Sequence, residues 1–266
     1  MCVHNGEMDF DGLAQYWLCD MDGVLIADGA MVEGADRFLE RLRSTGRPFL
    51  VLTNNSLFTP RQLCDQLSSM GLEVDEKQFW TSALDTAQFV HAQRPRGSAF
   101  VIGEVSLHSA LHDVGYREDS QSPDYVVLGE TQNYSFDDFT TAIRLIDAGS
   151  HFVATNPEAT GPSPDGSLPG CGAMAAIIER ATGVTPYFVG KPNSRMIREA
   201  LVVLEADSNA TVMIGDRMAT DILAGVDAGL ETILVLSGVD GEDDVDRFPY
   251  RPSRVVASVA DLINEL

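Results

Sequence analysis

Short apolar runs alternate with helical patterns along the chain. Residues 49–52 form an unbroken apolar run, as buried strands do, whereas the apolar positions within 33–45 recur on one face of a helix. Such alternation is typical of βαβ units around a mainly parallel sheet, so the pattern predicts an α/β protein. The predicted strands are 15–20, 49–52, 100–102, 125–128, 152–154, 211–214, 231–236 and one from about 255; the predicted helices are 33–45, 60–70, 85–92, 104–113, 135–148, 172–181, 193–205, 218–228 and a short one at the end of the sequence.

The predicted elements form two sets. One set occupies 1–82 and resumes at 184–266, and a second set fills 83–183 between them. We therefore expect one α/β domain interrupted by another. Residues 157–170 are rich in proline and glycine, and we predict that they form a loop within the inserted part.

Composition indicates a globular, strongly acidic protein. The 266 residues are 44% hydrophobic, enough for a substantial core, and no apolar stretch approaches the roughly 18 residues of a membrane span. The polar start, 1–10, lacks the basic and apolar stretches of a signal peptide, so a cytoplasmic protein is expected. The net charge of −22 argues against nucleic acid or an anionic membrane as partner. Four cysteines are scattered without metal-ligand spacing, at Cys2, Cys19, Cys64 and Cys171.

Polar residues follow several predicted strands of the outer set. The carboxyl ends of parallel strands meet at one edge of a sheet, so these residues are expected to converge although they lie far apart in sequence. Carboxylates can hold a hard cation and supply a nucleophile and an acid, while a hydroxyl, an ammonium and turn amides can hold an anion. The residues are Asp20 and Asp22 before Gly23, then Thr53 and Asn54, then Lys191, and last Asp216 and Asp221.

Each of these motifs also has a purely structural interpretation. Asp20 and Asp22 could belong to an ordinary strand-end turn, where Asp and Gly are common, and Thr53-Asn54-Asn55 could be an ordinary exit from a strand into a turn. Asp221 could complement the positive end of its own helix, and Lys191 could be a solvated surface residue. Lysine is rare here, however, since Lys77 is the only other one, which makes Lys191 between Gly and Pro more informative.

The ordered set of motifs resembles the haloacid dehalogenase (HAD) superfamily. The motifs are Asp20-Met21-Asp22-Gly23-Val24, Thr53-Asn54-Asn55, Gly190-Lys191-Pro192 and Gly215-Asp216-Arg217-Met218-Ala219-Thr220-Asp221. The segments Ala154-Thr155-Asn156-Pro157-Glu158 and Pro169-Gly170-Cys171-Gly172 are similar to the NagD-like branch. The resemblance implies a Rossmann-like parallel-sheet core, 1–82 and 184–266, with a large α/β cap inserted at 83–183.

The resemblance also implies a role for each motif. Asp20 would attack phosphorus and form an aspartyl-phosphate, and Asp22 would protonate the leaving oxygen and then take a proton from water. Thr53, Asn54 and Lys191 would bind the phosphoryl oxygens. Mg²⁺ would be held by the Asp20 carboxylate, the Asp22 main-chain carbonyl and Asp216, with Asp221 directly or through water.

The cap is expected to choose the substrate, and it departs from the branch. Glu158 stands where Asp is common, and Glu130 lies in a Leu-Gly-Glu-Thr stretch where Gly-Leu-Asp is usual. With Asn156, these are the candidate specificity residues. The prediction is a Mg²⁺-dependent phosphatase on small monoesters such as sugar, glycerol or nucleoside phosphates or phosphoglycolate. A non-catalytic sensor of phosphate ligands and a phosphotransferase or mutase are the alternatives, and a homodimer through the cap is expected from the resemblance.

Overall fold

The computed structural model describes residues 14–163 and 166–266. The N-terminal segment at 1–10 and Cys2, both considered above, lie outside this part. The strands are β1 (Tyr16–Asp20), β2 (Ile26–Ala27), β3 (Ala30–Met31), β4 (Phe49–Thr53), β5 (Phe79–Thr81), β6 (Ser98–Ile102), β7 (Arg117–Glu118), β8 (Tyr125–Leu128), β9 (His151–Ala154), β10 (Thr160–Ser163), β11 (Gly166–Pro169), β12 (Tyr187–Phe188), β13 (Thr211–Gly215), β14 (Glu231–Val235) and β15 (Arg254–Val256).

Helices separate most of these strands. The α-helices are α1 (Ala35–Ser44), α2 (Pro60–Ser69), α3 (Ser82–Gln93), α4 (Val105–Asp113), α5 (Phe136–Asp147), α6 (Cys171–Thr182), α7 (Ser194–Leu204), α8 (Leu223–Ala228) and α9 (Glu242–Val245). Short 3₁₀ turns occur at Glu76–Gln78, Ser208–Ala210 and Val259–Glu265, and a π-helical turn at Met218–Ile222. Among the described residues, no helix combines the length and apolarity that a bilayer span requires.

The α/β class is confirmed, and the predicted strands and helices are present with ends shifted by a few residues. The predicted loop at 157–170 is wrong in part, because the backbone of Thr160–Ser163 pairs antiparallel with Gly166–Pro169. All four residues of β11 are exposed, so this strand has no buried face and no alternating apolar pattern to reveal it.

Two compact units divide the chain. The first comprises the residues up to Leu50 together with Leu201–Leu266, and the second comprises Val51–Ala200. These boundaries differ from the expected core of 1–82 and 184–266 with its insert at 83–183, and that division stays a prediction.

The first unit is built around parallel strands. Strand β13 lies between β1 and β14, and β14 also pairs with β15, all in parallel register. Leu18 pairs with Met213 and Cys19 with Ile214, so both strands end at the same edge. Every residue of β13 is buried, as expected for a parallel strand covered on both faces.

Two local features of this unit follow directly from sequence. Strands β2 and β3 form a small antiparallel hairpin whose turn, Asp28-Gly29, has positive φ at both residues. Asp-Gly suits this turn because these residues tolerate the left-handed region better than others. Helix α1 ends in a basic last turn, Arg41 and Arg43, which complements the negative end of its dipole.

The second unit contains a five-stranded sheet in the order β12-β9-β8-β6-β7 with parallel pairing throughout. Alternate residues of β8 and β9 lie on opposite faces of this sheet. Val127 and Val153 pack with α3 and α4, whereas Val126 and Phe152 pack with α5 and α6. The result is a three-layer α/β/α arrangement.

This second unit also includes the end of β4 and its parallel partner β5, in which Thr53 pairs with Thr81. Helix α2 follows β4 and begins at Pro60, as predicted. Thr59 caps it, and its hydroxyl and the Gln62 side chain exchange hydrogen bonds with each other's backbone.

Candidate active site

Three aspartates of the first unit come together at the ends of neighbouring parallel strands. Asp20 is the last residue of β1, and Asp216 follows β13 directly. Asp221 lies in the π-helical turn that comes next. Each offers a carboxylate oxygen, all of these oxygens lie within 4.8 Å of one another, and all three residues are buried. The predicted convergence of Asp20, Asp216 and Asp221 is thus present in the structure.

The π-helical turn aims Asp221 into this cluster. The amides of Asp221 and Ile222 both donate to the Arg217 carbonyl, at 3.1 and 3.2 Å, which widens the turn by one residue. The Arg217 amide donates back to Asp221 Oδ2 at 3.1 Å, and the Thr220 hydroxyl donates to the same oxygen at 3.4 Å. Asp221 is therefore held inward instead of lying on the helix surface.

Glycines leave the space that Asp216 occupies. A Cβ at Gly23 would lie 2.2 Å from Asp216 Oδ2, and one at Gly238 would lie 2.1 Å from the same atom. The Val239 amide donates to Asp216 Oδ2 at 2.8 Å, and the Ser237 hydroxyl donates to the Gly23 carbonyl at 2.7 Å. The carboxylate therefore has a fixed position that tolerates no side chain at either glycine.

The donor set of the cluster fits a hard divalent cation. Two unit charges about 4 Å apart repel by about 4 kcal/mol at an effective dielectric constant near 20, so three buried carboxylates need a nearby positive charge. Carboxylate oxygens are the ligands that hard divalent cations take in proteins. Asp20, Asp216 and Asp221 can therefore bind such an ion together.

Asp22 occupies a different environment from Asp20. Asp20 is buried and accepts a hydrogen bond from the Met21 amide at 2.8 Å, whereas Asp22 is exposed. Gly23 follows with φ of +78°, and its amide donates to the Ile26 carbonyl at 2.7 Å. The chain turns directly after β1, so the Asp20 carboxylate is fixed while the Asp22 carboxylate is open to solvent.

A second group of predicted residues lies in the second unit, at the end of β4. Thr53 is buried, and its hydroxyl accepts a hydrogen bond from the Asn55 amide at 3.1 Å. Lys191 is only 2% exposed, and its Nζ donates to the Leu52 carbonyl at 3.1 Å. This bond puts the ammonium one residue from Thr53. Lys191 is therefore not the solvated surface residue that was the alternative interpretation.

Asn54 holds the backbone of Lys191. Asn54 Oδ1 accepts from the Lys191 amide at 2.8 Å, and Asn54 Nδ2 donates to the Lys191 carbonyl at 2.8 Å. The same Nδ2 donates to Glu158 Oε1 at 2.6 Å. A Cβ at Gly190 would lie 2.5 Å from Asn54 Oδ1, so the loop can approach this closely only with glycine there. The Asn54 side chain thus positions Lys191, and its expected contact with phosphate stays a prediction.

The three expected specificity residues connect to the same segment. Asn156 Nδ2 donates to the Asn54 carbonyl at 2.8 Å. Glu130 Oε2 accepts from the Ser56 amide and hydroxyl at 3.3 and 3.4 Å, and the Glu130 amide donates to Ser56 Oγ at 2.9 Å. Glu130, Asn156 and Glu158 are therefore all tied to residues 54–56.

Sequence reasoning missed three residues of these two groups, Ser56, Ser237 and Gly238. Ser237 and Gly238 could have been predicted, because they follow β14, and parallel strands end at the same edge of the sheet. Ser56 could not have been predicted in this way. It is fully buried and bonded to Glu130, a residue remote in sequence, and only the fold brings the two together.

Comparisons with known proteins agree with these features. A haloacid dehalogenase-like hydrolase model matches residues 17–117, and a HAD-hydrolase-like model matches residues 188–262. Dihydroxyacetone phosphatase of Corynebacterium glutamicum (strain R) is 51% identical over 92% of this chain and 90% of that protein. Ribonucleotide monophosphatase NagD of Escherichia coli (strain K12) is 42% identical over 92% of this chain and 96% of that protein. The solved structure of NagD from E. coli K-12 matches with a TM-score of 0.89, covering 94% of this chain and 98% of that one.

Proposed function

The chain belongs to the haloacid dehalogenase-like hydrolases, within their NagD-like branch, and we propose that it hydrolyses small phosphate monoesters with Asp20 as the nucleophile. It is a phosphoric monoester hydrolase, since its relatives over 92% of its length are phosphatases. The observation that carries the assignment of Asp20 is the buried cluster that it forms with Asp216 and Asp221.

The contrast between Asp20 and Asp22 supports two separate roles. An ionised Asp20 oxygen attacks phosphorus, the bond from phosphorus to the leaving oxygen breaks, and protonated Asp22 gives its proton to that oxygen. Water then attacks the aspartyl-phosphate, Asp22 takes a proton from this water, and phosphate leaves as Asp20 is restored. A fixed, buried Asp20 suits in-line attack, and an exposed Asp22 can exchange protons with solvent.

Thr53 and Lys191 hold the phosphoryl oxygens in this proposal. The ammonium supplies positive charge, and a buried setting strengthens its interaction with an anion because fewer waters screen it. Asn54 keeps the Lys191 backbone in place through two hydrogen bonds. Pre-set groups of this kind stabilise charge in phosphoryl transfer without reorganising during the reaction.

The cation in this proposal is Mg²⁺. Asp20, Asp216 and Asp221 would hold it with their carboxylates and Asp22 with its main-chain carbonyl, which is the oxygen donor set that Mg²⁺ prefers. When bound, it supplies positive charge to a phosphoryl oxygen. The close approach of two glycines to Asp216 supports this metal site, since it fixes the position of one of the proposed ligands.

Phosphate release tests the proposal. We expect the purified protein to hydrolyse para-nitrophenyl phosphate and a panel of sugar, glycerol and nucleoside phosphates with Mg²⁺ but not with EDTA. Asp20→Asn should lower the rate by at least about a thousandfold, because the amide is not a nucleophile. Asp28→Asn is the control, since Asp28 lies in an exposed turn and Asn tolerates its positive φ.

Other outcomes separate the alternatives. Activity of Asp20→Asn within about tenfold of the unaltered protein would rule out the aspartyl-phosphate route. Phosphate-ligand binding without turnover would favour a sensor. Transfer of labelled phosphate to an added sugar, with little reaching water, would favour a phosphotransferase.

We propose that the protein is cytoplasmic and that its partner is a small phosphorylated metabolite. We also propose that it forms a homodimer through residues 83–183. The described cysteines Cys19, Cys64 and Cys171 form no disulfide, which suits a reducing compartment. The net charge of −22 favours a small metabolite over nucleic acid or an anionic membrane. The homodimer rests on the family resemblance, and sedimentation equilibrium of the intact chain tests it, with a monomer at every concentration as the contradicting result.

A further inference from the structure

A carboxylate lies one side chain away from the proposed phosphate-binding lysine. Asn54 Nδ2 donates both to Glu158 Oε1, at 2.6 Å, and to the Lys191 carbonyl, at 2.8 Å. The two acceptors share one nitrogen, so Glu158 lies next to the loop that carries Lys191. A negative charge at this position acts on any group that binds beside this loop.

A second carboxylate, Glu130, adjoins the same segment. It is largely buried and accepts hydrogen bonds from the Ser56 amide and hydroxyl. Burial raises the pKa of Glu130, and the negative charge of Glu158 raises it further. Glu158 bonds to Asn54 and Glu130 to Ser56, so two carboxylates adjoin the one segment 54–56.

Asn156 adds a third acceptor. It is 1% exposed, and its Nδ2 donates to the Asn54 carbonyl at 2.8 Å. Within the described part of the chain, its Oδ1 is buried and accepts no hydrogen bond, although a buried acceptor is normally satisfied. Glu130, Asn156 and Glu158 thus present oxygen acceptors around residues 54–56. Hydroxyl groups can donate to such oxygens, whereas an additional anion is repelled.

We propose that Glu130 and Glu158 restrict this phosphatase to monoesters whose leaving group is uncharged and bears hydroxyls, and that they disfavour leaving groups bearing a carboxylate. Polyol and sugar phosphates fall in the favoured class, whereas phosphoglycolate and phosphoglycerate fall in the disfavoured one. The inference rests on the proposed function, because it takes Lys191 as a phosphate-binding group. It narrows the range of small monoesters expected from the sequence.

Two matched substrate pairs test the inference. Glycerol phosphate and phosphoglycerate differ by a hydroxymethyl group against a carboxylate, and so do hydroxyethyl phosphate and phosphoglycolate. We expect kcat/KM to favour the uncharged member of each pair by about tenfold to a hundredfold, because like charges brought together oppose binding.

The variants Glu158→Gln and Glu130→Gln remove one charge each and keep the shape of the side chain. Gln at 158 also keeps an oxygen that can accept from Asn54, so the link to Lys191 is retained. Either substitution should reduce the preference by about tenfold, mainly through a lower KM for the carboxylate-bearing substrates. Glu118→Gln is the control, because Glu118 is an exposed residue of the same unit that bonds to His108, and it should leave the preference unchanged.

The inference is overturned if the unaltered enzyme uses both members of each pair equally well, or if neither Gln variant changes the ratio. Failure of the proposed function would look different, since para-nitrophenyl phosphate would then also release no phosphate. In that case the same four compounds are compared by thermal shift. Equal stabilisation by the charged and uncharged members would still refute the selectivity.

Discussion

Replacing Gly23 by alanine should displace Asp216 and weaken the proposed metal site. The new Cβ would lie 2.2 Å from Asp216 Oδ2 and 2.3 Å from Cγ, whereas an ordinary contact is 3.4 Å or longer. Neither side has room to relax. Gly23 is held by hydrogen bonds to Ile26 and from Ser237, and the backbone of Gly238 approaches the same carboxylate so closely that a Cβ there would also collide with it. Asp216 must therefore move by about 1 Å or more, a displacement that can lower a reaction rate about a hundredfold.

Gly29→Ala separates this clash from backbone strain. Gly29 has φ of +76°, close to the +78° of Gly23, but a Cβ there meets nothing within 4 Å. Both variants carry the strain of a left-handed alanine, about 1–2 kcal/mol, and only Gly23→Ala also collides with Asp216. Any difference between the two variants therefore reports on the carboxylate and not on the turn.

Thermal melting with and without Mg²⁺ measures the difference. Saturation at 100 times the dissociation constant stabilises a protein by about 2.7 kcal/mol, so bound ion should raise the melting temperature clearly. We expect this increase, and kcat/KM on para-nitrophenyl phosphate, to survive in Gly29→Ala and to fall sharply in Gly23→Ala. If the two variants show the same increase in melting temperature with Mg²⁺ and the same activity, then the lack of a side chain at Gly23 is not what keeps Asp216 in place.

Two further predictions concern the second unit. Asp85 is fully buried against Arg195, and burial raises its pKa to about 6, above the ordinary 3.8, despite the opposing charge of Arg195. The stability that protonated Asp85 contributes is therefore complete below about pH 4 and is lost as pH rises through about 6. In urea titrations, lowering the pH from 7 to 4.5 should raise the unfolding free energy of the unaltered protein by about 2 kcal/mol relative to Asp85→Asn. If the unfolding free energies of the two proteins change with pH in parallel, the raised pKa of Asp85 is wrong. Asn54→Ala removes both bonds to the Lys191 backbone and should lower kcat/KM about a hundredfold, chiefly through KM, whereas Ala at the exposed Asn133 should have no effect. Equal kinetics for these two Ala variants would show that Asn54 does not position Lys191.

The main elements could be predicted because each carries a long periodic or unbroken apolar pattern. Strand β13, for example, is buried along its whole length, and its centre, Val212-Met213-Ile214, is a continuous apolar run. The meeting of Asp20 and Asp216 followed from one physical rule, that parallel strands end at a common edge. Strands β7 and β12 were missed because two residues are too few to show alternation.

The shape of the aspartate cluster could not be predicted, because it depends on close approaches at glycines that the sequence does not display. Gly23, Gly215 and Gly238 look like ordinary turn residues in the sequence. In the structure, a Cβ at Gly215 would lie 2.0 Å from that of Asp221, so this glycine makes room for the inward-turned carboxylate. The π-helical turn at 218–222 was expected to be regular helix, because one extra residue in a turn leaves no mark on hydrophobic periodicity.

The strong acidity of the chain is compatible with an anionic substrate for reasons of distance. Charges on the surface are screened beyond about 8 Å at physiological ionic strength, so most of the net charge of −22 acts weakly on a phosphate that has reached the site. Lys191 acts from a buried position fixed to the Leu52 carbonyl, where screening is poor. Glu158 lies one side chain away, so its charge also acts at short range. In the proposed function, local groups of opposite sign therefore set both the attraction for phosphate and the choice of what is attached to it.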